Sequence, residues 1–272
     1  MLGALLGDVI GSVYEWHPVK TMDFPLFSRE SRFTDDSVLT AAVADTLGDN
    51  PPEDAGFWAG RRRARLYAYR YKQAYSRYPD AGFGELFRQW AVSPSLTRLN
   101  SYGNGGAMRA VPIGWACATP EEVLREARLS CLYTHRHPEA IIGAQAVALA
   151  VFLARSGESK ETIRRRVEKS SGYDLSRSLA SLRPDYVFDS RTGYSVPPSI
   201  RAFLESDDYE SAVRGAVSLG GDSDTMACIA GGIAHAFYGH IPREIVSRGT
   251  PVLSSGIRRT LQAFSRRYAV PW

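Results

Sequence analysis

Residues 220–232 read GGDSDTMACIAGG, and their reading decides the fold. The apolar positions after Asp224 follow no period of two. They run as one side and then the other of a helix over 224–238, which Gly239 closes. A polar mouth, Asp222-Ser223-Asp224-Thr225, opens that helix. The same pattern recurs upstream. Residues 3–16 place Leu5, Leu6, Val9, Ile10 and Val13 on one side. Residues 36–47 repeat it with Val38, Leu39, Ala42, Val43 and Leu47, and Gly48 supplies a stop. A tyrosine-rich helix is predicted over 53–77. Thr119-Pro120-Glu121-Glu122 forms a capping box, Pro138 opens an apolar helix over 139–154, and Asp207 and Glu210 frame another start. Tyr186-Val187-Phe188 is a weak strand candidate, and 171–198, mixed in Ser, Pro, Gly and Tyr, reads as a long loop. With no internal repeat and no low-complexity linker, the expectation is an all-α, single-domain orthogonal helical bundle spanning 1–272 with an apolar helical centre.

Composition bounds the function. In 272 residues, 44% are hydrophobic and 23% charged, ordinary for a globular protein, and the net charge of +4 suits an anionic ligand without arguing for nucleic acid. Arg61-Arg62-Arg63 and Arg164-Arg165-Arg166 lie on predicted helices, where consecutive residues point in different directions, so they read as solvated surface. Cys117, Cys131 and Cys228 form no CxxC pair and sit in apolar contexts, as free buried thiols do in a reducing compartment. Residues 1–12 lack the basic start of a secretory signal, and the apolar run from Ala140 to Ala154 falls short of a membrane span. A cytoplasmic protein with no membrane partner is expected.

The polar mouth needs its own reading. GDSDT lacks the GxSxG pattern of a hydrolase elbow, no strand precedes it, and an EF-hand loop from Asp222 would place Ile233 where a glutamate is required. Asp222 or Ser223 could cap the helix, but Phe33-Thr34-Asp35-Asp36-Ser37 presents a second cluster of the same composition at another helix start. One cap needs one acceptor. Two clusters offer four carboxylates, which repel one another unless a cation intervenes. An all-oxygen donor set suits hard divalent ions, Mg²⁺ or Mn²⁺ ahead of Ca²⁺, and a metal pair can clamp a substrate. Asp8, Ser12 and Glu15 share a stripe on the first helix, which reads as a buried hydrogen-bond network, simple exposure or an active-site wall. Gly3, Gly7 and Gly11 form an adjacent stripe that permits close helix contact. Ser101-Tyr102-Gly103-Asn104-Gly105-Gly106 reads as a tight turn or an anion nest. In Thr134-His135-Arg136-His137-Pro138, His137 could cap the following helix, and His135 could reach a ligand or pack.

The ordered set GALLGDVIGSVYE, FTDDS, SYGNGGAMR, THRHPEA and GGDSDT resembles the ADP-ribosylglycohydrolase family, from residue 3 to about 242. The resemblance implies an all-α fold around a two-metal site. It implies Thr34, Asp35 and Asp36 as one ligand cluster and Asp222, Asp224 and Thr225 as the other, and Glu15 as the catalytic acid/base, with Asp35 counted as catalytic too. It further implies Ser101, Tyr102, Gly103, Asn104 and Gly105 around the diphosphate and distal ribose, and His135 in contact with the ligand. Ser37 stands where the family commonly has threonine and keeps the hydroxyl. The expected partner is the ADP-ribose moiety of a modified protein or small conjugate. A nucleic-acid end is a conceivable but unsupported acceptor, and residues 171–199 align with nothing definite. The alternative is a catalytically silent ADP-ribose binder or a structural, crystallin-like relative.

Overall fold

The computed structural model describes residues 1–52 and 57–271. Among the described residues every regular element is helical, apart from isolated antiparallel bridges between Asn100 and His135 and between Gly103 and Arg191. In chain order the α-helices are α1 (Leu2–Gly11), α2 (Asp35–Asp49), α3 (Phe57–Arg77), α4 (Glu85–Val92), α5 (Val111–Ala116), α6 (Pro120–Cys131), α7 (Pro138–Arg155), α8 (Lys160–Ser171), α9 (Leu179–Leu182), α10 (Thr192–Glu205), α11 (Tyr209–Val217), α12 (Ser223–Tyr238), α13 (Arg243–Gly249) and α14 (Ser255–Tyr268).

Helices α1 and α12 form the centre. All of α1 is buried, and so is α12 from Ser223 to Ala236. They run antiparallel along the predicted glycine stripe. A Cβ built on Gly3 would meet the Gly231 carbonyl at 2.5 Å, one on Gly7 would meet that of Ala227, and one on Gly11 would meet that of Ser223. Steps of four residues on both helices keep the register, and only glycine lets the backbones come this near. The C-terminal end of α1 is thereby fixed against the first turn of α12. Around this pair pack α2, α5, α7, α10 and α11. Helix α7 is apolar and long enough, by composition, to cross a bilayer, yet it is mostly buried among α5, α6, α8, α10 and α12. All three cysteines are free and buried, as expected.

Local signals held in some places and shifted in others. His137 caps α7, its Nδ1 accepting from Glu139 N at 3.3 Å. Gly239 adopts the left-handed conformation that closes α12. Thr119 caps α6, but Glu122 reaches back to the amide of Ala118 rather than to that of the cap itself. Asp208, not Asp207, caps α11. Helix α2 runs through Gly48 to Asp49, because Gly48 keeps helical backbone. Helix α1 stops at Gly11, so Glu15 lies in the turn beyond it. The predicted start of α3 at 53 falls outside the described residues.

The expected loop over 171–198 is the main correction. Helix α9 and the first turns of α10 occupy part of it, and Pro197 and Pro198 sit inside α10. A proline offers no amide to the carbonyl four residues back. For Pro198 that carbonyl is Tyr194 O, and the hydroxyl of Tyr186 donates to it at 3.0 Å while the two rings stack at 4.8 Å. The weak strand around Tyr186 is therefore a packed coil that supplies the missing donor.

Candidate active site

The two oxygen clusters meet. Single carboxylate oxygens of Glu15, Asp222 and Asp224 lie within 4.8 Å of one another. Thr225 Oγ1 donates to Asp36 Oδ2 at 3.3 Å, which joins the start of α12 to the start of α2. Thr34, Asp35, Asp36, Asp222, Asp224 and Thr225 all face one cavity of about 570 Å³, with Glu15 at its side.

Helix capping does not explain the second cluster. Asp222 sits at the cap position of α12 without accepting a cap hydrogen bond. Its Oδ2 instead accepts from Asn104 Nδ2 at 2.8 Å, and the same amide donates to Ser195 Oγ at 3.1 Å. In the first cluster Thr34 does cap α2, accepting from Asp36 N at 3.3 Å.

Asp8 braces that first cluster. Fully buried on α1, it accepts from Thr34 N at 3.0 Å, Thr34 Oγ1 at 2.7 Å and Ser37 N at 3.1 Å, and the Ser37 hydroxyl donates to it as well. Of the alternatives for the Asp8–Ser12–Glu15 stripe, Asp8 takes the buried network and Glu15 the cavity wall. Ser12 links them to the next segment by accepting from Arg32 N at 3.2 Å. Ser37 keeps the function of a hydroxyl at its position.

The electrostatics are those of an anion cluster held away from water. Burial, and next the charge of Asp224, push Asp8 up to about 7. Burial and Asp224 raise Glu15 to about 7 also, against the opposing pull of Arg32. Asp35, Asp36 and Asp222 are held well above the usual carboxylate range by burial first and by Asp224 second. Asp36 Oδ1 is buried with no hydrogen-bond partner among the described residues. A buried carboxylate oxygen without a hydrogen-bond partner, among acids that repel one another and a donor set wholly of oxygen, fits a hard divalent cation.

A second part of the cavity is formed by the glycine-rich loop and a histidine. Ser101, Gly103, Asn104, Gly105 and His135 line it. The amides of Gly103 and Asn104 are already engaged, with Ser101 Oγ at 3.1 Å and Ser190 O at 2.8 Å. Tyr102 has a half-exposed ring that meets His137 edge-on at 5.9 Å, while its carbonyl accepts from Thr192 Oγ1 at 2.8 Å. It supports the loop through its backbone.

Several lining residues escaped the sequence reading. Arg32 comes from the connection before α2, Phe188 and Ser190 from the misread segment, and Trp16 and Leu86 add exposed apolar surface at the rim. For Phe188 and Ser190 no local pattern pointed inward. They arrive through the bridge between Gly103 and Arg191. Trp16 was legible in principle, as the neighbour of Glu15.

Comparisons with known proteins agree with this fold. The sequence matches the ADP-ribosylglycohydrolase family over residues 1–269. It is 29% identical to "ADP-ribosylhydrolase ARH3" of Mus musculus over 97% of this chain and 91% of that protein. It is 25% identical to "ADP-ribosylarginine hydrolase Tri1" of Pseudomonas putida over 88% of this chain and 69% of that one. A solved structure titled "ADP-ribosylglycohydrolase-related protein complex" superposes with a TM-score of 0.69 at 23% identity, covering 100% of this chain and 96% of the other, and attests the fold. With its acidic clusters, its Asn104 loop and its match along nearly the full length, the chain belongs to the ADP-ribosylglycohydrolase family.

Proposed function

We propose that the protein hydrolyses the bond between the anomeric carbon of an ADP-ribose unit and its acceptor. The observation that carries this reading is the convergence of Glu15, Asp222 and Asp224, from opposite ends of the chain, beside the orphaned oxygen of Asp36. Thr34, Asp35, Asp36, Asp222, Asp224 and Thr225 would hold two Mg²⁺ or Mn²⁺ ions, whose charge would offset the acidic cluster and polarise bound hydroxyls.

The chain's own groups do the rest. Glu15 is the proton-transfer group: half-buried and raised towards neutrality, it can exchange a proton at the anomeric centre at physiological pH. Water adds its oxygen to the anomeric carbon, the bond to the acceptor breaks, and the acceptor leaves with a proton. Asn104 fixes Asp222, and Asp8 fixes Thr34, so the acids are set before a ligand arrives. Gly105 and His135, which line the cavity, would face the diphosphate. Phe188 and Trp16 offer apolar faces to the remaining parts of the substrate.

The test is direct. The purified protein with Mg²⁺ is incubated with defined ADP-ribosyl conjugates on arginine, serine, nucleic-acid ends and acetyl esters, and mass spectrometry follows free ADP-ribose. Turnover of at least one conjugate, lost in Asp224→Ala, is expected. An Asp224→Ala protein as active as wild type would remove the metal assignment, and inertness towards every conjugate would remove the hydrolase reading.

A further inference from the structure

Arg109 is buried completely, yet among the described residues none of its contacts is with a carboxylate. Its guanidinium lies over the Tyr71 ring at 4.2 Å. Nη2 donates to Thr134 Oγ1 at 2.6 Å and to Ser130 O at 3.3 Å, whereas Nε and Nη1 have no hydrogen-bond partner among the described residues. A buried arginine without a counter-ion is costly. Packing alone would be served better by an apolar side chain.

Thr134 passes the effect on. It is fully buried, and its Oγ1 lies 2.9 Å from His135 Nδ1. A guanidinium can only donate, so Thr134 Oγ1 accepts from Arg109. Its own hydrogen then needs an acceptor, and in a dry site a hydroxyl hydrogen without one costs more than the bond is worth. His135 Nδ1 is the ring nitrogen in reach. That assignment leaves Nδ1 bare and places the ring hydrogen on Nε2. Nε2 points at the substrate loop: a Cβ built on Gly105 would meet it at 2.8 Å, and one on Gly103 at 4.0 Å. His135 lines the cavity there. Burial, and then the nearby Arg109, also keep the imidazole neutral.

We infer that Arg109 is a positioning residue, which acts through the Thr134 hydroxyl to hold His135 as its Nε2–H tautomer and so aims a neutral donor at the anionic part of the ligand. The inference rests on the ADP-ribose reading for the identity of the ligand, but not for the tautomer. It also explains Gly105, since any side chain there would occupy the line from Nε2 into the cavity.

Long-range ¹H–¹⁵N spectra of the histidine-labelled full-length protein, with His135 assigned by its loss in His135→Ala, test it. The expected wild-type spectrum has a bare Nδ1 and a protonated Nε2. Thr134→Val keeps the shape and removes the hydroxyl. It should mix the tautomers and weaken ADP-ribose binding about tenfold, the size expected for one lost hydrogen bond at the ligand. Thr134→Ser should restore both. Arg109→Lys should mix the tautomers more weakly. A wild-type Nδ1–H tautomer, or a Thr134→Val protein with an unchanged His135 spectrum, overturns the relay. If the tautomer behaves as expected but wild type fails to bind ADP-ribose, the relay stands and the ligand assignment falls.

Discussion

Gly11→Ala tests whether the seam between α1 and α12 sets the spacing of the acids. A Cβ on Gly11 would lie 2.6 Å from Asp224 Cα and would also press on the Ser223 carbonyl. Carbon atoms rest at about 3.5–4.0 Å, so the shortfall is roughly 1 Å. Neither neighbour is a flexible side-chain end, so the backbones themselves must part. Over-packing of this kind costs about 1–3 kcal/mol, or roughly 3–10 °C in a chain of this size. The larger consequence is positional. Asp224 moves with its own Cα, while Glu15 sits in the turn after Gly11, held through Tyr14 O by the Ser223 hydroxyl at 3.3 Å. A misplacement of about 1 Å can lower turnover on the order of 10²-fold. The assays are thermal unfolding and initial rates on a conjugate that the wild type cleaves. Gly48→Ala is the control: a Cβ there meets nothing within 4 Å, and the residue lies inside α2, so that variant should gain about 0.5–1 kcal/mol with an unchanged rate. Wild-type melting and turnover in Gly11→Ala would refute the argument. Lost stability with a normal rate would show that the seam packs the core without spacing the acids.

Other expectations follow from the same geometry. Glu15→Gln should keep ADP-ribose affinity, measured by calorimetry, and lose about 10²–10⁴-fold in kcat. Tyr186→Phe should cost about 1–3 kcal/mol in denaturant unfolding, because it strips the donor from the Tyr194 carbonyl that Pro198 cannot serve. Asp8 and Glu15 are raised from ordinary values near 4 to about 7, so between those values the folded chain binds more protons than the unfolded chain. With chelator present, melting temperature should therefore fall as pH rises from about 4 to 7, and added Mg²⁺ should restore most at the upper end. A flat or rising profile in chelator would contradict it.

Much of this was legible because helix periodicity and cap chemistry are local. The α12 pattern, the Gly239 stop and the His137 cap need only a few neighbours. The acids were legible for a different reason: two clusters of like charge at helix starts exceed what capping requires. What stayed hidden depends on partners distant in sequence. Pro197 and Pro198 read as a loop because the donor that rescues α10, Tyr186, precedes it and belongs to no regular element. Gly48 read as a stop, yet nothing obliges a glycine in a helix to leave it. Asp8 was visible as a polar residue on an apolar stripe. Its service to Thr34 and Ser37 could be seen only once α1 and α2 were placed together.

Asn104 belongs to the glycine-rich loop that lines the cavity and also touches Asp222 of the second acidic cluster. Its single side-chain nitrogen is shared between Asp222 and Ser195. A cation that draws Asp222 Oδ2 competes with that nitrogen, and a ligand that shifts the loop carries it away from Asp222. Occupancy at one place is then felt at the other, and thermodynamic linkage makes the influence mutual: whatever factor Mg²⁺ applies to nucleotide affinity, the nucleotide must return to Mg²⁺.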